Sequence, residues 1–211
     1  VLVLSCEPTI AMKWLIPRLP AFHAAHPDIQ LHLVAAGGPP DFTRGGIDLA
    51  LRRDDFHWDA QLHSLKICDE AVGPVCRPDL ALPAQGFAGQ RLLHTATRPE
   101  AWTHWLRLNR QSARGSRRAD YEHFYLCIQA ALAGLGIALA SRLMVQDELD
   151  SGQLRAPYGF SEDGSAYYLL SPEPSAQRGF CCRSLNTVFI ICRSCLNSWS
   201  PRWRSPGTRS Q

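Results

Sequence analysis

Long hydrophobic runs are missing from this sequence. The longest uninterrupted apolar run among its 211 residues is only a handful of residues, whereas a membrane-spanning helix needs about 18 or more. There is also no internal repeat and no sustained heptad pattern, which excludes solenoids and coiled coils. With 45% hydrophobic and 19% charged residues, the composition is that of a globular chain, and the length fits one domain or two small lobes.

Common catalytic motifs are missing as well. There is no Gly-x-Ser-x-Gly elbow, no glycine-rich phosphate loop with a lysine, and no His-Glu-x-x-His pair. Cys6 could act as a nucleophile only beside a histidine, and nothing in the sequence brings one near it. A peroxide-sensing pair of Cys68 and Cys76 is a weak alternative. We therefore predict a protein that is not an enzyme and that needs no cofactor.

Acidic residues are absent after Glu173. The stretch 174–211 holds six of the 22 lysines and arginines, which leaves 16 basic against 19 acidic residues in 1–173, a net charge of about −3. The overall pI of 8.5 therefore comes from the tail. The body has no basic stripe that would follow a phosphate backbone. We do not expect it to be a nucleic-acid surface or to bind a membrane.

The eight cysteines divide in the same way. Four stand singly in the body, where we expect buried, reduced thiols of a cytoplasmic protein: Cys6, Cys68, Cys76 and Cys127. The other four crowd the tail: Cys181, Cys182, Cys192 and Cys195. A zinc site there is the weaker interpretation, because the tail has no histidine and the spacing is poor, so we predict no metal. The chain begins at Val1 in a strand-like run without a signal peptide, and we expect it to be a piece of a longer polypeptide.

The first half of the chain alternates between strand and helix patterns. Residues 1–4 predict a strand, and Thr9 is predicted as the N-cap of a helix that Pro17 should bend. The buried stripe of this helix has helical spacing: Ile10, Trp14, Leu15, Leu19 and Phe22. Met12 and Ile16 begin a second apolar edge, which is either additional core or a subunit contact.

Further strands and helices follow in the same alternating order. We predict a strand at 30–35, a one-turn helix at 41–46 capped by Asp41, a strand at 47–51, and an extended stretch at 62–76. The second half predicts a strand at 91–95, a helix at 100–108, a polar loop, a helix at 124–133, a strand at 136–140, a helix at 143–149 and a strand at 167–170. This order is typical of an α/β fold with parallel pairing.

Four segments, in order over about 170 residues, resemble the effector-binding domain of LysR-type transcriptional regulators. They are closest to the subgroup of glycine-cleavage and β-lactamase-gene activators. The segments are 14–19 with Phe22 and 26–29, the strand at 46–52, the helix-to-strand turn at 130–139, and 167–169 followed by Pro172 and Glu173.

The resemblance implies an α/β, two-lobed fold like that of type 2 periplasmic binding proteins, with two crossover strands and an effector cleft between the lobes. It implies lobe I at 1–71, lobe II at 72–165 and a return strand at 166–173. It also implies a homodimer or homotetramer and a preceding winged helix-turn-helix domain that binds DNA. The family's acidic C-terminal helix is replaced at 174–211, which we interpret as an out-of-frame tail. A solute-binding protein for transport is the alternative function.

In such folds ligands bind at the carboxyl ends of strands. Ser5 and Thr9 would favour a carboxylate or another anion; Thr9 is favoured as a ligand contact by the resemblance, and simple capping is the alternative. Glu7 could pair with an effector amine, so an amino acid is a second candidate effector. Of Arg52 and Arg53, we expect one to bind a carboxylate and the other to pair with Asp54 or Asp55.

Five further positions are candidates for ligand contacts. In the second lobe, Thr95 ends a strand, and His123 and Phe124 open the helix that the resemblance places opposite Ser5 and Thr9. A histidine of this kind is more often simply solvated. Tyr167 could supply a phenol at the return strand or merely pack. Asp41 matches a polar position of the related activators, although N-capping explains it equally well.

Overall fold

The computed structural model describes residues 1–43, 46–83 and 86–172, and the predictions for the tail at 174–211 fall outside them. Within the described residues the chain divides into two compact units. One comprises Val1–Glu70 and 164–172, and the other comprises Ala71–Asp163. No helix of the described ranges is long and apolar enough to cross a membrane.

The strands of the first unit are β1 (Leu2–Cys6), β2 (Leu31–Ala35), β3 (Leu49–Arg53) and part of β8 (Ser161–Ser171). They form a four-stranded portion of mixed sheet in the order β2-β1-β3-β8. Strand β1 is parallel to both β2 and β3, whereas β8 is antiparallel to β3.

The helical segment between β1 and β2 is not one regular helix. It runs as α1 (Pro8–Ile10), a π-helical turn (Ala11–Leu15), a 3-10 turn (Ile16–Arg18) and α2 (Leu19–Ala25). Pro17 lies in the 3-10 turn, because a proline lacks the N–H that an α-helical turn requires. That Pro17 bends the helix axis stays a prediction. The predicted N-cap at Thr9 is wrong. Pro8 takes the first helical position, so Glu7 becomes the flanking residue and Thr9 lies inside the helix.

The elements of the second unit are β4 (His63–Val75), β5 (Arg91–Thr95), α3 (Ala101–Leu108), β6 (Arg117–Tyr121), α4 (Phe124–Leu132), β7 (Ile137–Ser141) and α5 (Arg142–Asp150). Its strands lie in the order β4-β7-β5-β6. Strand β5 is parallel to β6 and β7, and β4 is antiparallel to β7. The boundaries between the units fall within β4 and β8, so both are crossover strands.

Two tryptophans anchor α3 to the strands of the second unit. The indole N–H of Trp102 donates to the carbonyl of Leu93 at 2.9 Å, and that of Trp105 donates to the carbonyl of Val72 at 3.1 Å. Phe87 packs edge-on against both rings. Each indole therefore buries a large apolar surface while its polar N–H stays hydrogen-bonded.

Two predicted boundaries need correction. The strand expected at 47–51 is β3, which ends at Arg53, so Arg52 and Arg53 lie in the strand and not after it. The polar loop expected after α3 contains β6, an additional strand. The predicted helix at 41–46 includes residues 44 and 45, which lie outside the described residues.

Candidate functional site

Arg52 is the most unusual polar residue of the first unit. Its side chain is 1% exposed, and its three hydrogen bonds go to neutral oxygens. Nε donates to the carbonyl of Gly38 at 2.8 Å, Nη1 to the carbonyl of Leu51 at 3.0 Å and Nη2 to Ser5 Oγ at 2.7 Å. A guanidinium has five N–H donors, so two remain for another acceptor.

Burial lowers the pKa of Arg52 from its ordinary value, while neighbouring Cys6 and Glu7 act in the opposite direction. An arginine stays charged in a protein even so. A buried positive charge is costly unless an anion lies near it. The surroundings of Arg52 therefore favour a negatively charged group.

Ser5 and Thr9 lie on either side of Glu7 at the carboxyl end of β1. Ser5 is fully buried and Thr9 is 6% exposed. Ser5 Oγ accepts from Arg52, which leaves its hydroxyl proton available as a donor to a ligand oxygen. The carboxylate of Glu7 accepts the backbone N–H of Arg53 at 3.3 Å, which joins the end of β1 to the end of β3.

Arg53 is the arginine that pairs with an acid, as predicted for one of the two. Its Nη1 lies 3.1 Å from Asp55 Oδ2, and its Nε lies 3.9 Å from Glu70 Oε2. Alternate side chains of a strand point to opposite faces, so the neighbouring arginines serve different surroundings. Tyr167 stands beside Arg53 in the β3–β8 register and is 1% exposed.

Asp41 stabilises a turn through its own side chain. Its Oδ1 accepts the backbone N–H of Thr43 at 3.0 Å and the Thr43 hydroxyl at 2.7 Å. This two-residue spacing is that of an Asx turn. The contact accounts for an aspartate here without a ligand.

Thr95, His123 and Phe124 lie at the carboxyl ends of β5 and β6. The hydroxyl of Thr95 donates to the carbonyl of Glu122 at 3.1 Å and lies 2.8 Å from the hydroxyl of Thr97. His123 is the residue before α4, and its ring stacks on Tyr125 at 5.4 Å. The structure thus brings these three predicted positions into one region of the second unit.

The sequence analysis missed three groups that contact the candidate site residues. The carbonyl of Gly38 accepts a hydrogen bond from Arg52, and the hydroxyl of Thr97 is hydrogen-bonded to that of Thr95. The guanidinium of Arg98 lies 5.2 Å from the ring centroid of Phe124. A carbonyl acceptor and a cation over an aromatic ring carry no sequence signature. Only Thr97 could have been found, because it repeats the Thr95 hydroxyl two residues later.

The thiols of the described residues are poor nucleophiles. Burial raises the pKa of Cys68 and of Cys127 to about 12, and it also raises the pKa of Cys6 and Cys76. Such thiols stay protonated at neutral pH, which argues against both the nucleophile and the peroxide-sensing alternatives. The described ranges also contain no group of three or more His, Cys, Asp or Glu residues that could hold a metal ion.

Solved structures share this architecture. The effector domain of the transcriptional regulator AmpR from Pseudomonas aeruginosa superimposes with a TM-score of 0.74 at 23% identity, over 93% of this chain and 96% of that one. The AmpR effector-binding domain from Citrobacter freundii gives a TM-score of 0.72 at 19% identity, over 92% and 98%. The fold is therefore the two-lobed α/β class of type 2 periplasmic-binding-protein-like domains.

Comparison with related sequences narrows this fold class to one family. The model of the LysR substrate binding domain matches residues 1–179. The HTH-type transcriptional regulator TrpI of Pseudomonas aeruginosa is 36% identical over 178 residues, 81% of this chain and 60% of that protein. The glycine cleavage system transcriptional activator of Escherichia coli is 29% identical over 185 residues, 84% and 60%. The chain belongs to the LysR substrate-binding domain family, and it spans about 60% of the length of these relatives.

Proposed function

We propose that the chain is the effector-sensing and oligomerisation domain of a LysR-type transcriptional regulator. In this proposal a small effector changes how a winged helix-turn-helix domain elsewhere in the protein binds DNA. The names of the relatives support regulation over transport, because they are transcriptional regulators. The proposal includes a non-enzymatic, cytoplasmic protein without a cofactor.

The chemical class of the effector is inferred from Arg52, whose buried guanidinium donates hydrogen bonds only to neutral oxygens. We propose that the effector is a small carboxylate or amino acid that Arg52, Ser5 and Thr9 bind. Two free N–H donors on one guanidinium suit a planar carboxylate better than an uncharged ligand. Glu7 is proposed to attract the amine if the effector is an amino acid.

Thr95, His123, Phe124, Tyr167 and Asp41 are proposed as further ligand contacts. Thr95 and His123 offer polar atoms at the carboxyl ends of parallel strands, where ligands of α/β folds bind. Tyr167 and Asp41 are the weakest members, since burial and an Asx turn already account for them. That these residues share one cleft with Arg52 stays a prediction, and so do the lobe boundaries at 71 and 165.

The proposed mechanism is a population shift. An effector that binds one arrangement of the domain tenfold better than another contributes about 1.4 kcal/mol to that arrangement. This small bias suffices when two assemblies are nearly equal in free energy. A homodimer or homotetramer would pass the bias to the DNA-binding domains, with the exposed side chains of Met12 and Ile16 as the proposed subunit contact.

A thermal-shift screen of amino acids, small carboxylates and cell-wall fragments tests the proposal. A ligand at a hundred times its Kd should stabilise the chain by about 2.7 kcal/mol. Thr9→Val should abolish the shift, because it removes the hydroxyl and keeps the shape. Thr103→Val, the same substitution at an exposed position of α3, is the matched control and should leave the shift unchanged.

Two results would contradict this assignment. A compound that still raises the melting temperature of Thr9→Val binds elsewhere. If only cations or uncharged compounds bind, Arg52 is not the group that recognises the effector. Turnover of a hit would favour an enzyme on this fold instead. A secretion signal upstream in the full gene would favour transport.

A further inference from the structure

The net negative charge of residues 1–173 conceals a local reversal in the second unit. Residues 101–119 contain five arginines and neither an aspartate nor a glutamate. Four of these arginines, together with Arg91, are named here the basic patch: Arg91, Arg107, Arg110, Arg114 and Arg117. All five side chains are exposed.

Strand pairing brings two arginines of the patch together at one edge of the second unit, and the other three lie between residues 107 and 114. Arg91 begins β5 and Arg117 begins β6, and the two are direct partners in the parallel register. Residues in register point to the same face of a sheet. Thr95 lies at the other end of β5, about 13 Å away at the usual rise per strand residue. Arg91 and Arg117 are therefore at the opposite end of their strands from the candidate effector contacts.

Local hydrogen bonds fix the loop that carries Arg114. The N–H of Gly89 donates to the carbonyl of Gly115 at 2.9 Å, the hydroxyl of Ser116 donates to the carbonyl of Ala113 at 2.7 Å, and the N–H of Arg114 donates to Ser112 Oγ at 3.1 Å. An ordered loop presents its charge with little entropy loss on binding.

The arginines of the basic patch differ from the neighbouring arginine, Arg118, in the groups that their side chains contact. Arg118 forms a bidentate pair with Asp120, in which Nη2 donates to Oδ1 at 2.6 Å and Nε donates to Oδ2 at 3.0 Å. Arg117 donates to the carbonyl of Gly89, and Arg107 contacts His104. Among the described residues, none of the five patch arginines has an acidic partner within ion-pair distance.

Arg110 occupies a backbone position that normally requires glycine. Its φ is +51°, and it is the only described residue other than glycine with a positive φ. The N–H of Arg110 donates to the carbonyl of Arg107, and that of Gln111 donates to the carbonyl of Leu106. This is a Schellman motif. At the end of α4 the same two bonds form, and there the left-handed residue is Gly134, with φ +79°.

A left-handed arginine is strained, and such strain marks positions kept for another reason. We propose that the basic patch binds the phosphate backbone of DNA without sequence selectivity. Exposed guanidinium groups free of carboxylates suit phosphodiester oxygens, which they contact through paired N–H donors. The choice of DNA rests on the proposed function, in which the rest of the protein holds DNA nearby.

Fluorescence anisotropy of the full chain with a labelled duplex of about 20 base pairs and arbitrary sequence tests the proposal. The double variant Arg110→Gln with Arg114→Gln should bind about tenfold more weakly at low salt. Its plot of log affinity against log salt concentration should be shallower by about 2, one unit for each lost phosphate contact. No effector is needed, so the outcome is independent of the effector proposal.

The matched control is the double variant Arg77→Gln with Arg118→Gln. It also removes two positive charges, but from arginines that are paired with Asp79 and Asp120. Both double variants keep the arginines of 174–211. The control should change the affinity less than about twofold. Equal losses in both variants would overturn the proposal, and so would tighter binding of a polyglutamate peptide than of the duplex.

A single substitution separates charge from folding. Arg110→Gly removes one patch charge and relieves the strained φ, so it should raise Tm while it weakens duplex binding. A variant that loses affinity only because it is partly unfolded would instead show a lower Tm. Unchanged affinity in Arg110→Gly and in the patch double variant would remove the basis of the proposal.

Discussion

Arg52 and Ser5, which are 47 residues apart in sequence, are joined by a 2.7 Å hydrogen bond from Nη2 to Oγ. The contact links the side chains of β3 and β1, whose backbones are already paired. Because both residues are buried, each depends on the other to satisfy a polar group. The pair is therefore part of the core of the first unit as well as of its candidate site.

Ser5→Ala should lower the free energy of unfolding by about 1–3 kcal/mol, because Arg52 Nη2 loses its acceptor in a buried setting. Urea unfolding followed by circular dichroism measures the effect. Ser64→Ala, at an exposed position of β4, is the control and should change stability by less than about 0.5 kcal/mol. Equal effects in the two variants would contradict the assigned role of Ser5.

Arg110→Gly should be more stable than Arg110→Ala by about 1 kcal/mol, because the two variants lose the same charge and differ only in the strain of a Cβ at positive φ. Thermal unfolding of both variants at one salt concentration measures the difference. If alanine and glycine give the same stability, the left-handed backbone of Arg110 does not persist in solution.

Gly136→Ala should destabilise the chain by about 2 kcal/mol or more, because its Cβ would lie 2.4 Å from the carbonyl oxygen of Arg91 and the backbone would have to move. Denaturant unfolding measures the loss. Gly37→Ala, whose Cβ meets nothing within 4 Å, is the control and should be neutral or slightly stabilising. A neutral Gly136→Ala would show that β5 and β7 approach less closely than described.

Cys68 and Cys127 should resist iodoacetamide at pH 9 in the folded protein. With a pKa of about 12, only roughly 0.1% of each thiol is ionised at that pH. Peptide mapping by mass spectrometry should find both cysteines alkylated only after denaturation. Rapid modification of either one in the native chain would contradict its burial.

The same thiols set a direction for the pH dependence of stability. Folding raises their pKa from 9.0 to about 12, so the unfolded chain releases these protons first as the pH rises. Their stabilising contribution is complete below pH 9 and is lost progressively between pH 9 and 12. Chemical unfolding at pH 8 and 10.5 should show lower stability at the higher pH, and less so in Cys68→Ala.

Most strands and helices were predictable because short apolar runs or apolar residues at helical spacing mark them in the sequence. Strand β6 was not, because three of its five residues are exposed and charged: Arg117, Arg118 and Asp120. An edge strand buries little, so its sequence resembles a loop. The π-helical turn at Ala11–Leu15 was also missed, since such turns are rare and occur inside segments that otherwise read as α-helix.

The candidate site was predictable in its residues but not in its contacts. Polar residues at the ends of strands identified Ser5, Thr9 and Thr95. The burial of Arg52 depends on where β3 ends and on the register of β3 with β1, and a shift of one residue exchanges the faces of Arg52 and Arg53. The basic patch was hidden because net charge averages over residues that the fold separates.

The path of the chain through the two units has a consequence for synthesis on the ribosome. Residues 71–163 are contiguous, so the second unit has all its described strands before the first unit receives its last. Strand β3 gains its antiparallel neighbour only after Tyr167–Leu170 have been synthesised. The unit whose synthesis begins first is thus completed last, and a chain that ends near residue 163 leaves one edge of β3 without its antiparallel neighbour.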